Sequence, residues 1–464
     1  MEQQIQYFLT SIGLNKNLYN KEQVNRVKNW LDVYQGTAKD HEFYIYNGKK
    51  KLKQKLKSLN IAYKSCNDLS DFFFNEKLEI TTDNEAFNEV LEDVFNQTHF
   101  LANANKLLQI TKALGDGAII PYLDNDVLKM NFLNSTNMII LDSDTTGVNS
   151  VLFYNEEETK EGTILKINCH LLTDEGYVIY NREYLKVDNK TGYIELPLDD
   201  DVKEIHTKSF IKRFAHIYTP EQNNIDINSP YHISCYANAI DNILAIDRAY
   251  DSYDNEVWLG RKRIYVKGGA TQWNIDAEGN TTPIFDSSET IYHEIPGDEH
   301  DPLVNVDDSQ LRTSEIAEAL QGQLNLYTST VGLGHNYYKF KDGETYVNTD
   351  NVIATNSDIY RKIRKQENIL TNAIRNLCYA IAELVGFKGQ FDVSVFYDDS
   401  VIEDTEATRR EALTEYNTGL ISKAEYYRQV YKLGDEEALQ FANKMNEEII
   451  GTTITDGTEF NLNE

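Results

Sequence analysis

Residues 229–259 read SPYHISCYANAIDNILAIDRAYDSYDNEVWL, and residues 311–332 read LRTSEIAEALQGQLNLYTSTVG. Residues 333–351 follow as LGHNYYKFKDGETYVNTDN, and residues 352–385 as VIATNSDIYRKIRKQENILTNAIRNLCYAIAELV. Ser229 suits an N-cap and Pro230 the first helical position, so a helix of about 40 Å is expected up to Gly260. Ile233, Ala237, Ile240, Leu244, Tyr250, Tyr253 and Val257 supply its apolar side. Asp247, Asp251 and Asp254 fall at i, i+4 and i+7, which places three carboxylates on one helical face. A second helix is expected from near Thr313, with Ile316, Ala319 or Leu320, Gln323 or Leu324, and Tyr327 on its apolar side. The third pattern is the clearest. Tyr360, Ile363, Leu370, Ile374, Leu377, Ile381 and Leu384 keep a 3/4 alternation broken only at Glu367, over about 50 Å from Val352 to Val385. Gly386 ends it.

Between the first two helices, residues 261–310 carry strand-like pieces (RKRIYVKG, TTPIFD, TIYHEI) and an acidic exit. Between the second and third, Gly332, Gly334 and Gly343 bracket a polar loop holding Tyr337, Tyr338, Lys339, Lys341 and Asp342. That loop is longer than a tight turn requires, as functional loops commonly are.

Working outward, the N-terminal stretch to Gly115 reads mostly helical. Lys21–Tyr34 has Val24, Val27, Trp30 and Leu31 at helical spacing, and Asn84 is placed to cap a helical region running to Leu114. Six lysines between Lys49 and Lys57 read as a solvated segment or a patch for phosphate or an acidic partner. From Ala118 to Ile217 the pattern turns to β-branched and aromatic runs separated by turn formers (144–147, 174–176, 188–189), which predicts an antiparallel β domain. Phe391–Tyr397 alternates like a strand. Three short helices are expected from Asp404 to about Ile450, with Ser422 and Glu425 forming a capping box. The polar tail 451–464 is expected to be disordered. The fold class is α+β.

The chain has 464 residues, a net charge of −29 at pH 7, and 74 acidic against 45 basic side chains. A protein that grips nucleic acid along its whole surface needs cations to replace phosphate counterions, and this balance opposes that. No apolar run approaches the ~20 residues that span a bilayer, so no membrane partner is expected. The start shows no basic segment followed by an apolar block, so no secretory signal is expected. Four scattered cysteines form no CxxC pair, which fits synthesis in a reducing cytoplasm. There is no GxxxxGK[ST], no GxSxG and no HExxH. His293 and His300 stand near Glu294, Asp298, Glu299 and Asp301, but the spacing matches no standard metal site. No catalytic residue, metal or cofactor is expected.

The strings SPYHISCYANAIDNILAIDRAYDSYDNEVWLGRKRIYV, DPLVNVDDSQLRTSEIAEALQGQLNLYTSTVGL and NVIATNSDIYRKIRKQENILTNAIRNLCYAIAEL resemble the portal proteins of tailed bacteriophages, of the siphophage type. TGLISKAEYYRQVYKLGDEEALQFANKM resembles that family's last helical region. WLDVYQG and LNIAYKSCNDLSDFFFNEKLEI resemble its opening. The likeness covers most of residues 20–450 and consists of fold-level patterns without a diagnostic site.

The resemblance implies a plan. Residues 1–220 would be the wing, 221–259 the first stem helix, 260–311 the clip and 312–330 the second stem helix. Residues 331–351 would be the tunnel loop, 352–402 the long wing helix with its strand, and 403–450 the crown. It implies a closed homo-oligomeric ring of about twelve subunits at one capsid vertex. Implied partners are double-stranded DNA passing through the channel, the terminase large subunit, the head–tail connector or adaptor, and the major capsid protein and scaffold. The location would be the virion, and the host cytoplasm during assembly. Asp247, Asp251 and Asp254 would face the channel and repel phosphate, while Lys339 and Lys341 would make a few transient phosphate contacts. Gly334, Tyr337, Tyr338, Asp342 and Gly343 would shape the tunnel loop. Arg261, Lys262, Arg263, Trp273, Phe285 and Tyr292 would dock terminase and connector. Two rival readings remain at this stage: a carboxylate-dependent hydrolase, and a ring or filament scaffold that never touches DNA.

Overall fold

The computed structural model describes all residues except 39–40, 47–50, 75–77, 126, 161, 187–191, 261–262, 268–272, 276–280, 284–291, 296–303, 308–309, 341–356, 398–411, 432–437, 440–441 and 443–464. The N-terminal part is helical, as its periodicity predicts. It contains α1 (Glu2–Ser11), α2 (Lys21–Tyr34), α3 (Ile61–Asp71), α4 (Glu85–Gln97) and α5 (Phe100–Leu114). Asn20 caps α2 by accepting from the Glu22 and Gln23 N–H groups, and Asn84 caps α4 by accepting from Phe87 N–H at 3.3 Å. The region 84–114 is not one helix. It breaks at Thr98–His99, where His99 takes a left-handed φ of +47°. The lysine-rich run forms a hairpin, β1 (Glu42–Tyr46) with β2 (Lys51–Lys55), and every described lysine of β2 is exposed. A further short strand, β3 (Glu79–Thr82), precedes α4.

Asp116 to Tyr218 folds as the expected antiparallel β region. It opens with β4 (Asp116–Asp124) and β5 (Val127–Asn134). A meander follows: β6 (Met138–Asp144), β7 (Gly147–Thr159), β8 (Gly162–Thr173), β9 (Gly176–Lys186) and β10 (Tyr193–Glu195). After the one-turn helix α6 (Asp200–Lys203) come β11 (Glu204–His206), which also pairs with β9, and β12 (Ala215–Tyr218). Strands β12, β4 and β5 form a separate three-stranded sheet. Gly176 has φ +116°, and a Cβ there would lie 2.7 Å from the Ser209 backbone, so glycine is required on both counts. The two-residue period sorts the strands between two cores. Leu152 and Tyr154 of β7 pack with Ile5, Phe8 and Leu9 of α1. Their neighbours Val151 and Phe153 pack with Ala118, Phe214 and Tyr231.

The rest of this unit carries α7 (Ile240–Leu259), the strands β13 (Arg263–Lys267), β14 (Trp273–Ile275), β15 (Thr281–Pro283), β16 (Tyr292–Ile295) and β17 (Val304–Asp307), then α8 (Thr313–Val331). The long helix α9 (Ser357–Leu384) buries Ile363, Leu370, Ile374, Leu377 and Ile381. Val352–Asn356 of the expected helix lie outside the described residues. β18 (Val393–Phe396) pairs with β3. The chain divides into two compact units, Met1–Val347 with Lys362–Phe396, and Asn348–Arg361 with Tyr397–Glu464. In the second, residues 412–417 are helical, Gly419 turns the chain at φ +75°, and α10 (Lys423–Tyr431) follows. Ser422 Oγ accepts from Glu425 N–H at 3.1 Å, the capping contact read from the sequence. Of the third expected helix only residues 438–439 and 442 are described, and these are helical, with Ala438 and Ala442 buried. Helices and strands are thus mixed along the chain, in agreement with the α+β class.

The break in the α9 alternation has a physical cause. Gln366 and Glu367 are buried, and Gln366 Oε1 accepts from the buried Lys112 ammonium at 2.6 Å. Lys362, one turn earlier, pairs with Glu221 and donates to the Val331 carbonyl. Burial lowers Lys112 to about 8 despite the Glu221 charge. Burial pushes the Glu221 carboxyl up, but Lys362 and Lys112 outweigh it and hold the carboxyl below its ordinary 4.5. Glu221 therefore adds stability that is complete above that ordinary value and is lost as pH falls through the lowered one. Glu221→Gln is expected to cost about 3 kcal/mol near neutral pH. Urea unfolding of both proteins at about pH 6 and about pH 3 should show that difference shrinking in acid.

Candidate functional site: the α7–α8 helix pair and its anchors

The helix expected from Ser229 begins eleven residues later, at Ile240, after a single 3₁₀ turn at Ala237–Ala239. Tertiary partners claim the intervening backbone. Tyr231 C=O accepts from Asn223, His232 N–H donates to Asp116 Oδ2, Ile233 C=O accepts from Thr219, and Cys235 N–H donates to the Lys112 carbonyl. Tyr231 and Tyr236 are buried, and the Tyr236 hydroxyl donates to the Trp30 carbonyl at 2.8 Å. These contacts satisfy the backbone outside a helix, so the favourable cap residues are not used to start one.

Asp247 corrects the expectation of an open carboxylate face. It is fully buried on the same side of α7 as Ile243 and Ile246. His41 Nε2 lies 2.6 Å from Oδ2, Ser58 Oγ–H donates to Oδ2 at 2.8 Å, and Leu59 N–H donates to Oδ1 at 2.9 Å. Asp251 Oδ1 accepts from Lys57 N–H at 3.2 Å, and Asp254 pairs with the Lys57 ammonium. The chain leaving the β1–β2 hairpin therefore runs along the three aspartates and covers Asp247. His41 and Ser58 were missed from the sequence because nothing local links them to Asp247, 206 and 189 positions away.

The far end of the pair is clasped. The Arg312 guanidinium donates to Glu256 Oε2 at 2.9 Å, and Arg312 N–H donates to Glu256 Oε1 at 3.1 Å. A Cβ on Gly260 would lie 2.1 Å from the Leu311 side chain, so the two ends of the 260–311 segment meet. Within that segment β13 pairs in parallel with β16 and antiparallel with β17. Arg263, Trp273 and Tyr292 each open a strand there, with Arg263 opposite Asp307, Trp273 opposite Pro283 and Tyr292 opposite Ile264. Arg261, Lys262 and Phe285 lie outside the described residues. On α8 the ambiguous positions resolve to Leu320 and Leu324, both buried with Tyr327.

Past α8 the chain turns through Gly332, Gly334 and Asn336, all with positive φ. Tyr337 and Tyr338 are anchors rather than an exposed lining. Both are buried, and the Tyr338 hydroxyl donates to Asp68 Oδ2 at 2.9 Å. The Gln321 side chain donates to the Tyr338 carbonyl and accepts from Phe340 N–H, both at 2.8 Å. Lys339, between these contacts, is exposed. Lys341, Asp342 and Gly343 lie outside the described residues.

The arrangement is a braced helix pair with a closed-ended β excursion at one end and a pinned turn at the other. The family model for phage portal proteins of the SPP1 Gp6-like type matches residues 15–451. The chain belongs to this family. The match agrees with the resemblance seen in the sequence. A comparison with curated proteins finds no match. Among solved structures the chain is similar to one titled "Neck of empty GTA particle computed with C6 symmetry", at 10% identity and a TM-score of 0.39, with 89% of this chain and 94% of that one covered. Among the described residues no helix is long and apolar enough to cross a membrane.

Two carboxylates of the portal helix α7 should behave very differently. Asp247→Ala strips the partners of His41, Ser58 and Leu59 and is expected to lower stability by about 3 kcal/mol. Asp254→Ala, which loses a solvent-exposed pair, should leave the urea midpoint unchanged. Equilibrium denaturation of both variants checks this.

Proposed function

We propose that this chain is the ring-forming protomer of a portal, a channel at one capsid vertex through which double-stranded DNA is packaged and later ejected. In this reading α7 and α8 are the stem helices and residues 260–311 the clip, which docks the terminase large subunit during packaging and the head–tail connector afterwards. Residues 331–351 are the tunnel loop, residues 1–220 the wing, α9 with β18 the long wing helix and its strand, and residues 403–450 the crown. Capsid protein and scaffold are the remaining partners, and assembly takes place in the host cytoplasm. The observation that carries the reading is the clasp of Glu256 on Arg312, which holds two adjacent helices together at the root of a self-returning segment. Membership of the portal family supplies the context.

A channel must pass DNA without retaining it. The overall acidity favours that, because phosphate finds few cations to displace its counterions. Lys339 and Lys341 are proposed as the transient contacts. Asp251 and Asp254 remain candidates for a repelling rim, partly offset by Lys57, and Asp247 is withdrawn because it is buried. Replacing both Lys339 and Lys341 by Glu should leave assembly intact and reduce the DNA packaged per particle. Nuclease-protected DNA measured in particles carrying the double variant is the check. Undiminished packaging would remove the loop from the DNA path.

A further inference from the structure

Three side chains that the portal reading does not use converge where the β region meets the segment leading into α7. Asp116 opens β4, His216 lies on β12 beside it, and His232 belongs to the segment before α7. His216 Nε2 is 3.0 Å and His232 Nδ1 is 2.8 Å from Asp116 Oδ1, and the three atoms all lie within 4.8 Å of one another. The second carboxylate oxygen, Oδ2, accepts from His232 N–H at 3.0 Å, which fixes the carboxylate plane. Tyr218 stacks on the His232 ring at 4.0 Å and on the His216 ring at 5.1 Å.

We propose that Asp116, His216 and His232 form a site for a divalent first-row transition ion of the zinc class. Two imidazoles and one carboxylate oxygen are a donor set that such ions favour over calcium or magnesium. Ligand–metal distances of about 2.0–2.2 Å in tetrahedral geometry put the donors roughly 3.3 Å apart. The two observed separations from Oδ1 need to open by only a few tenths of an ångström. Each imidazole would coordinate in its neutral form through the nitrogen now facing Oδ1, its ring proton moving to the other nitrogen. Asp116 is fully buried, and among the described residues its ion pairs are with these two histidines alone. A divalent ion would neutralise it. The partial exposure of His232, at 26% of its side chain, leaves room for a water in the fourth position. The oriented Oδ2 and the stacked rings are the outer-shell supports that metal sites commonly have. The bound ion would tie β4, β12 and the approach to α7 into one rigid corner. The sequence hides the site because its ligands are separated by 100 and 16 positions and match no short motif.

The full-length protein is stripped with chelator, titrated with zinc chloride and, in parallel, with cobalt chloride, and the metal retained after gel filtration is counted. One retained equivalent is expected, with a rise in the thermal midpoint and the visible absorption of low-symmetry cobalt with nitrogen and oxygen ligands. His232→Gln and His216→Gln are both examined, since either could disturb folding, and circular dichroism selects the folded variant. That variant should bind at least about tenfold more weakly and lose the cobalt bands. No retained metal in the wild type overturns the proposal and leaves a hydrogen-bonded His–Asp–His cluster. Equal retention in wild type and folded variant also overturns it, because the ion then sits elsewhere.

Discussion

The carboxylate of Asp247 is the constraint on which the helix pair depends. A buried ion costs several kcal/mol unless its oxygens are fully engaged, and here His41, Ser58 and Leu59 engage them. The segment after the β1–β2 hairpin must therefore lie along α7, and that sets how the helical N-terminal part meets the pair. Hydrophobic burial of Ile243 and Ile246 alone would hold α7 against its neighbours without fixing its rotation or register. Directional contacts to one carboxylate do both.

The same device recurs along the pair and where it meets the rest of its unit. Glu256 and Arg312 clasp the outer end, Ser65 Oγ and the Tyr327 hydroxyl meet at 2.6 Å on the buried side of α8, and Tyr338 with Asp68 and Gln321 pins the turn that follows. Lys362 reaches the Val331 carbonyl at the helix end. Two of these partners also occupy backbone groups that the ends of α8 leave unpaired: Glu256 Oε1 accepts from Arg312 N–H, and the Lys362 ammonium donates to the Val331 carbonyl.

Much of the fold was legible in the sequence. The strong periodicities of α2, α8 and α9, the β meander with its glycine turns, and the caps at Asn84 and Ser422 follow from local rules that tertiary contacts did not override. Failures came where distant partners decided. Ser229 and Pro230 looked like a helix start, but Asp116, Thr219, Asn223 and Lys112 hold residues 231–235 out of a helix. The helical region after Asn84 was broken by a left-handed His99 that no local breaker announces. The aspartates of α7 had the right spacing for a solvent stripe, yet spacing does not reveal what covers a face. The histidines at 216 and 232 carried no local signal, because their meeting with Asp116 is made by sheet pairing and by the segment before α7.

Together these features describe a member of the portal family with a braced helix pair, which we propose is the stem of a ring around a channel. Images of the purified full-length protein by electron microscopy, with native mass measured on the same sample, test that account most directly. It predicts closed rings with a central opening wide enough for duplex DNA and a mass that is a whole multiple of the 53.4 kDa chain. A monomer at every concentration, alone and with capsid and scaffold protein present, would contradict it.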